Sequence, residues 1–197
     1  MTENKIKELV KNLIDTFLNA GEISIKLRKD GLIKKIKSDN TPVSNGDLEV
    51  NKIISKKLEK LTPSIPIISE ETSDNKLIRN LKDFWLIDPI DGTYDYINDL
   101  DEFTINAGLI LNRKPVAGLI YAPAKKRMFY SYGKDQAYEL ADEKEINLDG
   151  SRNFNKNKIK FVAYSNKIKP EIKKIFEELN VKEFTKMKSS LKFCVIA

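Results

Sequence analysis

The most constraining feature of this 197-residue sequence is an apolar run that ends abruptly in carboxylates. Phe84-Trp85-Leu86-Ile87 is typical of a short buried strand, and Asp88-Pro89-Ile90-Asp91-Gly92-Thr93 follows it directly. The surrounding window, residues 83–112, holds seven acids and no Lys or Arg, where the chain average predicts about five basic residues. Because carboxylates repel one another unless a cation joins them, the pattern favours a cation site, with a solvated acidic loop as the alternative.

The composition excludes several kinds of active site. The chain has no histidine and one cysteine, Cys194, which excludes Ser-His-Asp and Cys-His catalysis, histidine-ligated metals and an internal disulfide. A site built from oxygen ligands alone selects a hard cation such as Mg²⁺. Although the net charge is +6, 30 of the 35 basic residues are Lys and are spread along the chain, so we expect no nucleic-acid polymer as a partner.

The hydrophobic periodicity predicts a mixed α/β fold. Helices are expected over residues 3–19, with Gly21 as the terminator, over residues 47–61 and from Pro170. The predicted strands cover residues 66–68, 84–87, 103–111, 116–121, 128–132, 136–140 and 160–164, with another near Phe184. No apolar run approaches the roughly 20 residues that cross a bilayer, so no integral membrane segment is expected.

Two further expectations concern the organisation of the chain. Residues 149–157 are polar and predict a linker, which divides the chain into an N-terminal domain, 1–155, that carries the metal site, and the start of a second domain, 156–197. The last residues, 191–197, are apolar and lack a polar tail, and this pattern favours a chain truncated at its C-terminus.

The acids at the predicted strand ends suggest phosphoryl chemistry. Glu70 follows one short apolar strand, and Asp88 and Asp91 follow another. Hard cations held by such acids can clamp a phosphoryl group and activate water. Gly92 would let the backbone approach a phosphate closely, and the Thr93 hydroxyl would align the attacking water. An ordinary Asp-Gly turn after a strand is the alternative.

The same motifs resemble those of the inositol monophosphatase family, whose members are lithium-sensitive, Mg²⁺-dependent phosphatases. The matching segments are residues 37–44 with Asp47, 69–71, 88–93, 102–106, 121–123 and 189–194. Within the family the chain is most similar to bacterial 3'(2'),5'-bisphosphate nucleotidases of the CysQ type. The resemblance implies hydrolysis of the 3'-phosphate of adenosine 3',5'-bisphosphate, a by-product of sulfate assimilation, to AMP. An inositol-1-monophosphatase and an inactive fragment remain as alternatives.

The resemblance also implies a role for each matched residue. Glu70, Asp88 and the Ile90 carbonyl would hold one Mg²⁺, and Asp88 and Asp91 would share a second ion whose C-terminal aspartate is missing from residues 1–197. Glu70 would also touch a third, weaker ion. Thr93 and Asp47, together with Glu70, would act on the attacking water. Substrate contacts are implied for Glu70, Ile90, Asp91, Gly92, Thr93, Ser189 and Ser190.

At the level of the whole molecule, the resemblance implies a layered α-β-α-β-α sandwich whose C-terminal half is incomplete. It further implies a small phosphorylated substrate, a possible homodimer, and a cytoplasmic protein that could attach peripherally to the inner membrane. Lys188 departs from the family, which usually has Gly there. From the residues alone, we expect Lys37 to lie on the solvated surface and the aromatic rings of Tyr94 and Tyr96 to pack.

Overall fold

The structure, a computed structural model, describes residues 1–37, 41–71, 81–148, 160–163, 167–181 and 183–196. The helices in chain order are α1 (Glu3–Asp30), α2 (Asn45–Leu61), α3 (Thr93–Ile97), α4 (Pro170–Glu178) and α5 (Leu191–Cys194). The strands are β1 (Lys34–Ile36), β2 (Pro42–Ser44), β3 (Ile67–Ser69), β4 (Phe84–Asp91), β5 (Thr104–Leu111), β6 (Lys114–Ala122), β7 (Arg127–Ser131), β8 (Ala137–Ala141), β9 (Lys144–Asn147), β10 (Lys160–Ala163) and β11 (Glu183–Lys186). The predicted mixed α/β class is confirmed.

A seven-stranded sheet organises the described residues up to 148. Its strand order follows the sequence, from β3 to β9, and β3 and β4 are parallel while the other neighbours are antiparallel. Helices α1 and α2 pack against the sheet and against each other, and together they enclose the main hydrophobic core. The side chains of Trp85, Ile87 and Ile90 on β4 are at most 1% exposed, so the strand that carries the acids is anchored in this core.

Helix α1 extends well past its predicted end. The Thr2 side chain caps its N-terminus, and the helix continues through Gly21 to Asp30, so the prediction that Gly21 ends the helix is wrong. A Cβ at position 21 would lie only 2.3 Å from the Tyr121 ring. The glycine therefore serves close packing of α1 on β6, a contact that the local sequence pattern does not reveal.

Helix α2 begins with a capping box that involves a candidate site residue. The Ser44 hydroxyl accepts from the backbone N–H of Asp47, and the Asp47 carboxylate accepts from the backbone N–H of Ser44 at 2.8 Å. Such reciprocal bonds satisfy donors that a helix start leaves unpaired, and they fix the carboxylate of Asp47 against the first turn.

The described residues beyond 160 form a smaller unit. Strands β10 and β11 pair in parallel, and Phe161, Phe176 and Phe184 cluster between these strands and α4. Within the described residues 160–196, only Ser189 and Leu191 are buried. The predicted linker, 149–157, and the predicted domain boundary at residue 155 lie outside the described residues, and the division into two domains stays a prediction.

Among the described segments, no helix combines the length and the apolar character needed to cross a membrane.

Candidate active site

Asp88 and Asp91 lie on the same side of β4 because the strand contains a bulge. Asp88 is opposite Asn106 on β5 and Asp91 is opposite Thr104, so three steps along β4 match two steps along β5. In a regular strand, residues three apart point to opposite faces, whereas one extra residue returns them to the same face. The bulge therefore brings together two carboxylates that strand alternation would separate.

Glu70 joins them from the neighbouring strand. Strand β3 runs parallel to β4 with Ser69 opposite Ile87, and the Glu70 backbone N–H donates to the Ile87 carbonyl at 3.1 Å. Glu70 therefore lies beside Asp88 at the carboxyl ends of two parallel strands. Burial of Asp88, reinforced by the charges of Glu70 and Asp91, raises the pKa of its carboxyl to about 8. Such a pKa marks a carboxylate that lacks a compensating cation.

The donor set suits a hard cation. The Asp88 Oδ1 atom is buried without a hydrogen-bond partner, and the charged groups around Asp88 are the carboxylates of Glu70, Asp91 and Asp47. In the described residues as they stand, no three His, Cys, Asp or Glu side chains converge closely enough to hold an ion. Glu70 is instead engaged by Lys37, and Asp91 by Ser190. The ligand chemistry fits Mg²⁺, and among Glu70, Asp88 and Asp91 only Asp88 has a buried oxygen that no described donor engages.

Asp47 and Thr93 form the pair that the resemblance implies. The Thr93 hydroxyl lies 3.2 Å from Asp47 Oδ1 and 3.0 Å from the Ile90 carbonyl oxygen, and it can donate to either. Asp47 is 1% exposed. Burial raises the pKa of its carboxyl, although hydrogen bonds from Ser44 and Thr93 favour the ionised form. With its proton committed to Asp47 or Ile90, Thr93 has oxygen lone pairs left to accept a hydrogen bond from a water.

Gly92 connects β4 to α3 in a backbone conformation that other residues rarely adopt. Its φ is +95°, and a Cβ there would lie 2.9 Å from the Glu102 carbonyl oxygen. Both observations require glycine at the point where the chain turns from the acids into Thr93. The glycine therefore serves close packing of this turn against Glu102 and Phe103, and the predicted approach of a phosphate to its backbone stays a prediction.

Ser190 reaches the site from the far end of the chain. Its backbone N–H and its hydroxyl both donate to Asp91 Oδ2, each at 2.5 Å, and the Asn106 side-chain amide donates to the Ser190 Oγ at 3.2 Å. Ser189 beside it is buried, with a φ of +51°. The structure thus brings Ser190 to the acids, whereas Ser189 is largely enclosed within its own turn.

Lys37 is a site residue that the sequence analysis missed. Its ammonium lies 2.9 Å from Glu71 Oε1 and 3.3 Å from Glu70 Oε1, so the expectation of a solvated surface lysine is wrong. The Glu71 side chain is only 3% exposed, and its burial raises the pKa of the carboxyl even though Lys37 favours ionisation. No local pattern signals this pairing, since 33 residues separate Lys37 from Glu70.

The two tyrosines after Thr93 have different environments. Tyr96 is fully buried and its hydroxyl donates to the Ser24 carbonyl at 2.7 Å, so it is a core residue, as expected. Tyr94 is 65% exposed, which contradicts the expectation that its ring packs. The Lys188 ammonium lies 5.7 Å from the centre of the Tyr94 ring.

Both the sequence and the fold of this chain are similar to those of known proteins. The model that defines the inositol monophosphatase family matches residues 5–197. The 3'(2'),5'-bisphosphate nucleotidase CysQ of Buchnera aphidicola is 38% identical over 166 residues, which cover 82% of this chain and 60% of the relative. The enzyme of the same name from Escherichia coli strain K12 is 34% identical over 163 residues, covering 82% of this chain and 64% of the relative.

Solved structures give the same fold. CysQ from Bacteroides thetaiotaomicron superposes with a TM-score of 0.69 at 25% identity, covering 95% of this chain and 75% of that one. An inositol monophosphatase from Staphylococcus, solved with lithium chloride, superposes with a TM-score of 0.74 at 14% identity, covering 96% of this chain and 69% of that one. The sequence alignments show that the chain spans 60–64% of the length of these curated relatives.

Proposed function

The chain belongs to the inositol monophosphatase family, as its motifs predict, and from that premise we propose that it acts as a Mg²⁺-dependent phosphomonoesterase. The proposed reaction is hydrolysis of the 3'-phosphate of adenosine 3',5'-bisphosphate to AMP. The relatives that share 34–38% of their aligned residues with this chain carry the name of that nucleotidase, which supports the choice of substrate. A cytoplasmic location and a homodimer stay predictions.

The observation that carries the proposal is the combination of the β4 bulge with the Asp47–Thr93 pair. Asp88, Asp91, Glu70 and the Ile90 carbonyl would hold Mg²⁺, and the chemistry that the ion supplies is neutralisation of charge on the phosphoryl oxygens. The unpartnered, buried Asp88 Oδ1 supports this role, because a carboxylate in that position gains most from a cation.

The protein's own groups account for the remaining steps. Thr93, held by Asp47, would accept a hydrogen bond from the attacking water and so direct its lone pair at phosphorus. The proton that the water loses would pass to the Thr93 oxygen as the Thr93 hydroxyl proton passes to Asp47 Oδ1, 3.2 Å away. The backbone at Gly92 would face the phosphoryl group, and the Ser190 donors would keep Asp91 oriented.

Phosphate release tests the proposal directly. We expect the protein with Mg²⁺ to release inorganic phosphate from adenosine 3',5'-bisphosphate with a kcat/KM at least tenfold above that for inositol 1-phosphate. An equal or reversed preference would overturn the nucleotidase assignment in favour of an inositol monophosphatase. A folded protein that binds Mg²⁺ and hydrolyses neither compound would refute the phosphatase itself.

A matched pair of variants then tests the role of Thr93. Thr93→Val removes the hydroxyl that bonds Asp47, and we expect kcat to fall by about 100-fold or more while KM changes little. Thr104→Val is the control, because it makes the same replacement at a buried threonine whose hydroxyl has no hydrogen-bond partner. Equal activities of the two variants would remove Thr93 from the mechanism.

A further inference from the structure

Lys188 makes two polar contacts with the acidic stretch of the chain. Its ammonium donates to Asp95 Oδ1 at 2.6 Å, and its backbone N–H donates to Glu102 Oε2 at 3.0 Å. The Asp95 side chain is only 3% exposed, so its charge depends on this partner, while the Lys188 side chain is 31% exposed. The contact with Asp95 raises the pKa of the Lys188 ammonium, which therefore stays charged.

The same turn carries the donors that hold Asp91. Two residues after Lys188, the Ser190 backbone N–H and hydroxyl both bond Asp91 Oδ2. The turn thus meets three acids, Asp91, Asp95 and Glu102, in a window that has no Lys or Arg of its own. Both bonds are made to Oδ2, so the turn engages one of the two carboxylate oxygens of Asp91.

Apolar contacts and hydrogen bonds also hold this turn in place. Among the described residues from 160 onward, Leu191 is the one buried hydrophobic side chain, and it packs with Ala122 and Phe129 in a small cluster separate from the main core. Strand β11, which precedes the turn, is exposed along its whole length. Met187 packs against the same small cluster, and beside these apolar contacts the Lys188–Asp95 ion pair joins the turn to α3.

We propose that Lys188 is a positioning residue whose ammonium, bound by Asp95, seats the turn of residues 187–190 on α3 so that Ser190 holds Asp91. In the reaction proposed above, on which this consequence rests, Asp91 is a Mg²⁺ ligand and Ser190 is the outer partner that orients it. Outer partners of this kind typically change metal affinity by about 10-fold to 100-fold when they are lost.

The positioning role of Lys188 predicts a change in Mg²⁺ affinity that is opposite in direction to the one its charge alone predicts. A cation near a metal site repels the ion, so its removal alone would tighten Mg²⁺ binding. If Lys188 instead positions Ser190, its removal weakens Mg²⁺ binding. The two roles therefore predict opposite changes in one measured affinity.

The first experiment needs no metal. Amide hydrogen exchange of the full chain is compared between the protein, Lys188→Met, Lys188→Arg and the control Lys186→Met, which removes an exposed lysine two residues earlier. We expect exchange at residues 188–191 to accelerate at least tenfold in Lys188→Met alone, with α1 unchanged and Lys188→Arg close to the starting protein. Unchanged exchange in Lys188→Met would overturn the proposal.

The second experiment measures Mg²⁺ affinity by calorimetry on the same variants. We expect Lys188→Met to bind Mg²⁺ about tenfold more weakly, and to have no further effect when Asp95→Asn is already present. Tighter or unchanged binding in Lys188→Met would overturn the link from Lys188 to Asp91. Failure of the starting protein to bind Mg²⁺ would refute the proposed function, and the exchange experiment would still decide the role of Lys188.

Discussion

The acids of the candidate site and the donors that hold them come from two regions that are built differently. Asp88 and Asp91 end a central strand whose apolar residues lie in the main core beneath α1 and α2. Ser190 and Lys188 lie on a turn that is held by polar bonds and by a small apolar cluster around Leu191. We refer to these as the core-anchored acids and the polar-anchored turn.

The difference separates the two tasks of the site. The core fixes the acids regardless of their charge, so it can hold Asp88 in a position that raises the pKa of its carboxyl to about 8. Polar bonds to the turn depend on the charge of the acids that they meet, so the turn responds to any change in those charges. Apolar burial therefore sets the position of the acids, and charged hydrogen bonds set the orientation of their carboxylates.

Substitution of Asp88 gives the largest expected effect on the core-anchored acids. Asp88→Asn keeps the size of the side chain but removes the charge between Glu70 and Asp91, and we expect Mg²⁺ affinity to fall by about 100-fold or more. The fold should persist, because the neutral amide costs less to bury than the carboxylate. Calorimetric titration with Mg²⁺ measures the loss.

Asp135→Asn is the matched control for this substitution. Asp135 lies exposed in the turn between β7 and β8 with a φ of +59°, a conformation that asparagine tolerates. The Asp135→Asn variant should bind Mg²⁺ with the same affinity as the starting protein. An unchanged affinity in Asp88→Asn would show that the acids on β4 do not form the metal site.

The sequence predicts much of the structure around the core-anchored acids, but little of the polar-anchored turn. The strands around the acids were predicted within a few residues, because the run from Phe84 to Ile87 is apolar enough to identify a buried strand. The bulge between Asp88 and Asp91 was not predicted, since it depends on the register with β5. The pairing of Asp47 with Thr93 was predicted from the family resemblance and not from the local sequence pattern.

The polar contacts of the site could not be predicted, because they join distant parts of the chain. The pair of Lys188 and Asp95 spans 93 residues, and the pair of Lys37 and Glu71 spans 34. Local periodicity describes which face of a strand or helix is buried, and it carries no information on such partners. The absence of basic residues from 83–112 indicated that cations were needed, but not that Lys188 and Arg28 supply them.

One leucine in each region provides a direct comparison of how the two are anchored. Leu119 on β6 and Leu191 on the polar-anchored turn are both fully buried. We expect Leu119→Ala to lower the free energy of unfolding by about 3 kcal/mol, a typical cost for a core leucine. Leu191→Ala should lower it by about 1 kcal/mol or less, because the turn can detach while the sheet stays folded.

Urea denaturation measures both free energies, and exchange at residues 187–194 measures local detachment of the turn. We expect Leu191→Ala to accelerate that exchange strongly, while Leu119→Ala affects the whole protein. Equal losses of unfolding free energy would contradict the comparison, since they would show that the turn and the sheet unfold as one cooperative unit.

The pH dependence of stability distinguishes the two regions once more. Without metal, burial and the charges of Glu70 and Asp91 hold the pKa of Asp88 at about 8 in the folded protein, above the usual 3.8. Between these values the folded state binds more protons than the unfolded state, so this stabilisation is complete below about pH 4 and is lost as the pH rises toward 8. Asp88→Asn removes the titration.

We therefore expect the metal-free melting temperature of the protein, relative to that of Asp88→Asn, to fall by roughly 10 °C between pH 5 and pH 8. Added Mg²⁺ should cancel the fall, because it favours the ionised carboxylate that burial disfavours. Lys188→Met should show the same fall as the starting protein, since the turn does not set the pKa of Asp88. A difference that stays constant with pH would mean that Asp88 is ionised throughout this range, and that the core-anchored acids are already compensated without a metal.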